Sequence, residues 1–545
     1  MGRALRALVW SVLALAFGLP LALGLVGTGI AAAGAFPGSP MPGWSQALSD
    51  PRLLAAVVAT LWTGLGATAL ALALALAALV LGWGRGWFRA VAGWLPPMLA
   101  VPHAALAVGL VFVLAPSGWL MRMVLEGPRP PSGWTVPDAY GLSLLVGLAL
   151  KEFPFLLFTA MALCPRLNPD HWIKQGRVLG YSASRCWTRL VLPRLLSQLR
   201  LPIAVVLAYN LSVVDMALLL GPGQPPTLAA LVLEWFNQAG GRAKAGAGAW
   251  LLLVVMALGF AAFAIAGLGL GALARGRRVS GIRRGWHLWH WPARVALAGA
   301  LGLTALALIS LPIWSLAQRW RFPDAWPSAW TLRFWVNRWD QLGELLSHTL
   351  ILGVASTALA VLAAVVWLEL ERLRRVPRID GLWYVPLLLP QVCVLLGWQS
   401  ASLWVGWDGR AATVIWGHWV YSLPYVILML AGAWRALDPS YDQQARVLGH
   451  GYAARLLRVR VPLMARPLLS AAAVAMAVSV AQYLPTLLLS GGRIPTLTTE
   501  LVTSFGGVDR RMIGALASLQ LMLPLVCFAA ALVLPRIWFR NRQHA

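Results

Sequence analysis

Apolar runs of about 20 residues, each long enough to cross a hydrocarbon core of about 30 Å as a helix, recur along the whole of this 545-residue chain. They fall near 7–33, 54–83, 91–115, 139–163, 196–220 and 247–274, and resume near 295–317, 346–368, 382–406, 412–435, 467–490 and 512–535. The pattern predicts an all-α polytopic membrane protein with about twelve transmembrane helices. Arg3 and Arg6 precede the first run. That run is about 27 residues, well beyond the 7–15 of a signal-peptide core, which predicts an uncleaved first helix.

The polar intervals repeat as well. Lys174-Gln175-Gly176-Arg177-Val178-Leu179-Gly180 is followed nine residues later by Leu190, then by Leu192-Pro193. Gln443-Gln444-Ala445-Arg446-Val447-Leu448-Gly449 is followed at the same spacing by Val459, then by Val461-Pro462. An offset of 269 residues relates Gly180 to Gly449 and Pro193 to Pro462. The same offset relates Gly221-Pro222-Gly223 to Ser490-Gly491-Gly492, two turns ahead of Pro-Thr-Leu. Pro96-Pro97 and Pro102 should interrupt and kink the third helix of the first half, and Pro390 the matching helix of the second. Pro154 and Pro424 lie in the fourth helix of each half, after polar residues that could satisfy the freed backbone groups or face a cavity. Asn168-Pro169 and Asp438-Pro439 look like caps that open short helices. The expected division is therefore a first six-helix half over 1–274, a basic linker over 275–294 and a second six-helix half over 295–545. Six being even, the halves enter the membrane the same way round and form a parallel repeat.

Composition sharpens this picture. Hydrophobic residues make up 59% and charged residues 11% of the chain, against roughly 25% charged in soluble globular proteins. The net charge of +26 raises the question of nucleic acid, but the Lys and Arg concentrate in alternate loops. That is the positive-inside bias of a membrane protein, with both termini cytoplasmic and a basic inner face able to attract anionic lipid. No nucleic-acid partner is implied. Trp320, Trp326, Trp330, Trp335 and Trp339 lie in one outer segment and read as an interfacial aromatic belt. Cys164, Cys186, Cys393 and Cys527 show no paired or metal-ligand spacing. No G-x-x-x-x-G-K-[ST] phosphate loop is present, so the chain has no catalytic residues, metal site or cofactor of its own to suggest.

The spacing of the two loops resembles the "EAA" signature of bacterial ABC importer permeases: Glu-Ala-Ala, three residues, Gly, nine residues, Ile, any residue, Leu-Pro. Gly180 and Gly449 take the Gly position, Leu190 and Val459 the Ile position, and Ala445 the second Ala, which Gly176 replaces in the first copy. Lys174 and Gln443 stand where the family has Glu. The resemblance implies the type I importer permease fold and a coupling helix in each loop. That helix would dock on a separate ABC ATPase dimer, which binds ATP and Mg. The coupling residues so implied are Gln175, Gly176, Arg177, Leu179, Gly180 and Pro193, with Gln444, Ala445, Arg446, Leu448, Gly449 and Pro462. A periplasmic solute-binding protein would deliver the cargo to this inner-membrane permease. Two signatures in one chain resemble the double-length ferric-iron and thiamine permeases. The Arg493-Ile-Pro-Thr-Leu-Thr-Thr-Glu500 segment looks most like the thiamine-type branch.

Polar groups at membrane depth are expensive and are functional candidates by default. Lys151, Glu152, Asp215, His418, Tyr421 and Gln482 are accordingly the candidates for a substrate path, weighed against structural pairing at helix kinks. The alternative from another class is a secondary transporter with two six-helix repeats, which needs no ATPase.

Overall fold

The computed structural model describes residues 10–11, 14–34, 42–124, 129–131, 135–278, 290–507 and 509–538; the side chains of 273–278 and 538 are outside that description. The middle of the basic linker, 279–289, lies outside it too. Among the described residues nine helices are long and apolar enough to span a bilayer. They are Ala14–Ala32, Leu53–Gly82, His103–Val124, Leu142–Leu167, Arg242–Ala272, His290–Leu316, Trp339–Arg372, Ala411–Ala436 and Arg510–Ile537. Three bent pairs raise the number to twelve: Ala183–Gln198 with Arg200–Ser212, Leu382–Leu388 with Gln391–Val405, and Tyr452–Leu463 with Ala465–Ala481, bent by 64°, 93° and 76°. The all-α polytopic architecture anticipated from the apolar runs is therefore the one observed.

The runs near 196–220 and 467–490 are not continuous helices. The first breaks at extended Val213, between Arg200–Ser212 and Asp215–Leu220. The second breaks at extended Gln482, between Ala465–Ala481 and Leu484–Ser490. Pro485 near the start of the second short helix carries no N–H and keeps the chain just before it out of a regular helical ladder. Hydropathy averages over such breaks because the residues on both sides are apolar. Pro102 and Pro390 break the chain as their positions predict, whereas Pro96, Pro97, Pro154 and Pro424 lie inside continuous helices, Gly86–Ala100, Leu142–Leu167 and Ala411–Ala436. Val101 and Leu389 are extended, and helices restart at His103 and Gln391 directly after Pro102 and Pro390.

Packing ties the two sequence repeats together reciprocally. The early helix Leu19–Ala32 lies along Gln391–Val405, and His290–Leu316 lies along His103–Leu114. Both contacts rest on small residues, which let helix backbones approach closely where lipid supplies no hydrophobic drive. A Cβ on Gly24 would run into the Val394 carbonyl, one on Gly397 into the Gly24 carbonyl, and one on Gly109 into the Ala307 carbonyl. Thr28 reinforces the first contact by donating to the Cys393 carbonyl, and Ser310 the second by donating to that of Gly109 at 3.4 Å.

A two-stranded antiparallel hairpin, Ala317–Arg319 with Ala329–Trp330, follows His290–Leu316 and was not signalled by the pattern. It carries part of the tryptophan-rich segment. Trp326, Trp330 and Trp339 remain more than half exposed. Trp320 instead packs on Trp314 at 4.4 Å between ring centroids, beneath the Arg122 guanidinium at 5.0 Å.

Candidate functional site

The two repeated loops fold alike. Each opens with a capped proline: the Asn168 side chain accepts from the His171 N–H ahead of the helix Pro169–Val178, and Asp438 accepts from the Ser440 N–H ahead of Pro439–Val447. Each closes with the same pair of hydrogen bonds. In the first, Gly180 N–H donates to the Arg177 carbonyl and Tyr181 N–H to that of Gly176, both at 2.9 Å. In the second, Gly449 donates to Arg446 and His450 to Ala445, both at 3.0 Å. This is a Schellman cap, whose penultimate residue must be left-handed. Both Gly180 and Gly449 have φ of +81°, where any other L-residue costs roughly 1–2 kcal/mol.

The cap turns the same side chains outward in both copies. Val178 and Val447 are each 87% exposed, and Leu179 and Leu448 63% and 75%. Lys174, Gln175, Arg177, Gln443, Gln444 and Arg446 are exposed around them, whereas Gly176 and Ala445 face inward. Each loop then runs through a five-residue π turn, Trp187–Val191 or Leu456–Arg460, directly before the Leu-Pro or Val-Pro pair of Pro193 and Pro462. Widening the turn relieves the clash a proline ring makes with the carbonyl four residues back.

Beneath the loops the two copies differ. In the register set by the two glycines, Ile173, Cys186 and Val191 correspond to Asp442, Arg455 and Arg460. The first floor is apolar: Ile173, Cys186, Trp187 and Val191 are all buried. A Cβ at position 176 would collide with Cys186 Sγ, which is why Gly stands where the second copy has Ala445. The second floor is ionic. Arg460, 2% exposed, donates to both Glu369 and Asp442. Arg455 Nε reaches Asp442 at 3.1 Å, and the Tyr452 hydroxyl donates to Glu369 at 2.9 Å. Burial raises the Asp442 pKa, but the Arg460 hydrogen bond and the charges of Arg460, Arg372 and Arg455 outweigh it and hold the carboxyl below its usual value. An acid, Asp442, thus stands one residue before Gln443 and is paired within the second floor. In the first copy the nearby acid, Asp170, instead accepts from Trp83 Nε1 at 2.8 Å, whose ring packs on Trp187.

The six polar membrane residues separate into two groups. Lys151 and Glu152, adjacent on Leu142–Leu167, take different partners: Lys151 Nζ donates to the Leu99 carbonyl at 3.3 Å, and Glu152 Oε1 lies 3.3 Å from His103 Nε2. The His103 ring packs on Tyr209 at 4.5 Å. Asp215, at the start of a short helix after the Val213 break, is within electrostatic reach of His103, Tyr209 and Tyr483, and Glu152 of Tyr209 and Tyr425. Two carboxylates, a histidine and three tyrosines from both sequence repeats therefore share one neighbourhood.

His418 and Gln482 belong to a different hydrogen-bond network. The two His418 ring nitrogens are held by Ser479 at 2.7 Å and Thr486 at 2.8 Å, and Gln482 donates to the His418 carbonyl at 3.1 Å. That knot pins the Gln482 break to the neighbouring helix. The Tyr421 hydroxyl is buried without a hydrogen-bond partner among the described residues. Sequence reading missed His103, Tyr209, Tyr425, Tyr483, Glu369 and Arg460. His103 directly after the helix-breaking Pro102 was the one with a local signal; the others lie within apolar runs or at their basic ends.

A multi-spanning helical protein with two like-built, outward-facing loop helices and a polar cluster among its broken helices has the makings of a transport permease. Residues 350–542 match the family described as "Binding-protein-dependent transport system inner membrane component". The chain is 33% identical over 539 residues to the Inner membrane ABC transporter permease protein YnjC of Escherichia coli (strain K12), covering 96% of this chain and 95% of that protein. It is 29% identical over 262 residues to the Molybdenum transport system permease protein ModB of Mycobacterium bovis and of Mycobacterium tuberculosis, covering 45% of this chain and 92% of ModB. The chain belongs to the ABC transporter permease family and is a multi-pass inner-membrane permease subunit.

Proposed function

We propose that this chain is the double-length permease of an ATP-driven importer, whose ATPase dimer docks on the paired loop helices Pro169–Val178 and Pro439–Val447. The observation that carries this reading is the identical presentation of Val178-Leu179 and Val447-Leu448 by two Schellman caps. An apolar pair held out in water at the tip of a basic helix is suited to burial in a partner's groove. ModB, matched over nearly its full length by less than half of this chain, supports two permease units in one polypeptide, divided near 274 and 295. The inner-face basic loops would hold the ATPase, and the opposite face would receive cargo from a periplasmic solute-binding protein.

The cargo this reading favours is a small organic cation of thiamine-like character. Glu152 and Asp215 supply opposite charge, and Tyr209, Tyr425 and Tyr483 supply faces for cation–π contact. Among the described residues no three His, Cys, Asp or Glu side chains converge at metal-ligand distance, which disfavours a bare ferric ion. The test is co-purification with an ATPase encoded beside it, followed by uptake in proteoliposomes. Replacing Val178, Leu179, Val447 and Leu448 by Asp should release the ATPase. Asp215→Ala and Glu152→Ala should lower uptake while sparing assembly, and uptake driven by an ion gradient without any ATPase would overturn the proposal in favour of a secondary transporter.

A further inference from the structure

Beside the second loop helix lies a cavity of about 640 Å³ between that helix and the segment that follows Trp339–Arg372. Six arginines line it against three carboxylates, Glu371, Asp438 and Asp442. The carboxylates are already engaged. Glu371 pairs with Arg435 at 2.8 Å and Arg378 at 3.1 Å, Asp442 with Arg460 and Arg455, and Asp438 caps Ser440. Asp380, at the cavity's edge, takes two further bonds from Arg435, and that hydrogen bonding, opposed by burial, holds its carboxyl below the usual value. Arg374 and Arg375 are left over: both line the cavity, and among the described residues neither side chain has a hydrogen-bond or ion-pair partner.

Arg374 is unusual in a second way. It occupies the left-handed position of a Schellman cap, with φ of +53°, its N–H bonded to the Glu371 carbonyl and that of Arg375 to the Leu370 carbonyl. The two loop helices use glycine at the matching position of their caps. Strain of this kind, where a cheaper residue exists, marks sites at which the side chain itself is wanted. Val376, buried directly after the pair, anchors the segment so that both guanidinium groups stay at the cavity.

We propose that this cavity is an oxyanion site that takes a phosphate group on Arg374 and Arg375, with Arg372 and Arg378 completing the charge around it. Planar guanidinium groups match phosphate oxygens bidentately, and the two unpaired charges of Arg374 and Arg375 are what a phosphate dianion would offset. A lipid headgroup and a soluble phosphate share that chemistry. An occupant here would add negative charge next to Arg460 and Asp442, the groups that support the second loop helix.

The test uses the purified full chain without any ATPase. Inorganic pyrophosphate is titrated in detergent, and phosphatidylglycerol nanodiscs are compared with phosphatidylcholine nanodiscs, reading binding and thermal unfolding. Wild type should bind at least one probe saturably; retention by phosphatidylglycerol alone assigns a lipid headgroup, and binding of pyrophosphate assigns a soluble ligand. Arg374→Gly should unfold no earlier than wild type, because glycine suits the left-handed position, yet bind about tenfold or more weakly. Arg375→Gln should weaken binding likewise, and Arg333→Gln, far from the cavity, should not. Wild-type affinity in both cavity variants, or no binding of either probe to the wild type at millimolar concentration, overturns the site.

Discussion

The two loop helices present one surface on two different foundations. Above, the caps, the glycines and the exposed Val-Leu pairs coincide. Below, Ile173, Cys186 and Val191 pack where Asp442, Arg455 and Arg460 form ion pairs. What a partner would touch has been held constant between the repeats, and what holds it up has not. An apolar floor of this size is close-packed and answers to volume. A buried ionic floor answers to charge, because taking one partner away strands the other in a low-dielectric setting.

Charge removal should therefore break the second loop hardest. Arg460→Met takes from Glu369 and Asp442 the buried cation they share and leaves them to the more exposed Arg372 and to Arg455, and stripping one member of a buried pair costs up to about 3–5 kcal/mol. Thermal unfolding of the purified chain should show that loss, with hydrogen exchange quickening around Pro439–Val447 and unchanged around Pro169–Val178. Adding Glu369→Gln and Asp442→Asn to the same variant should recover most of it. Failure to recover would mean that Arg460 acts through its packed stem.

Volume should break the first loop. Gly176→Ala drives a methyl group into Cys186 Sγ, and overpacking a filled site costs about 1–3 kcal/mol. Cys186→Ala should relieve it. In the second loop Ala445→Gly removes a methyl and loosens the helix by only about 1 kcal/mol. If Gly176→Ala proves neutral, the contrast between a volume-limited and a charge-limited floor is wrong at its apolar end.

This contrast was partly legible in the sequence. The repeat spacing gave both caps, because Pro after Asn or Asp, and Gly at a helix end, specify local backbone geometry that no tertiary contact has to supply. The spanning runs gave the helices for the same reason. The floors were hidden, because Glu369 and Arg460 are 91 residues apart and each reads alone as an ordinary charge at a basic membrane edge. Asp442 was passed over for the neighbouring Gln443, where the family signature has its acid. The membrane cluster was half visible: Glu152 and Asp215 stand out by cost, whereas Tyr209, Tyr425 and Tyr483 are common in apolar runs and acquire meaning only through the Val213 and Gln482 breaks. His418 stood out less, and both its ring nitrogens are held by Ser479 and Thr486.

The shared upper layer predicts equal damage. Gly180→Ala and Gly449→Ala each place a Cβ at φ of +81°, for about 1 kcal/mol or somewhat more apiece. Differential scanning of the two single variants should give similar shifts despite the different floors. A markedly larger shift for one would show that the floor beneath reaches up into the cap.

Acid supplies the finest test of the comparison, because the second floor rests on carboxylates and the first on apolar side chains and a thiol that stays protonated in acid. The Asp442 carboxyl sits below its usual value in the folded chain, so near its titration the unfolded chain binds more protons there. Its stabilisation is fully present above the unfolded value of about 3.9 and fades as pH falls through the lower folded value. Wild type should therefore exceed Asp442→Asn in unfolding temperature at neutral pH, with the gap closing toward strong acid. The gap should also narrow in high salt, since Asp442 is partly exposed and screened. Ile173→Val, the corresponding change in the other floor, should produce an offset that neither acid nor salt alters. A gap at Asp442 that persists undiminished below the carboxylate range would show that the residue is held for its shape and hydrogen bonds, and that the second floor is no more electrostatic than the first.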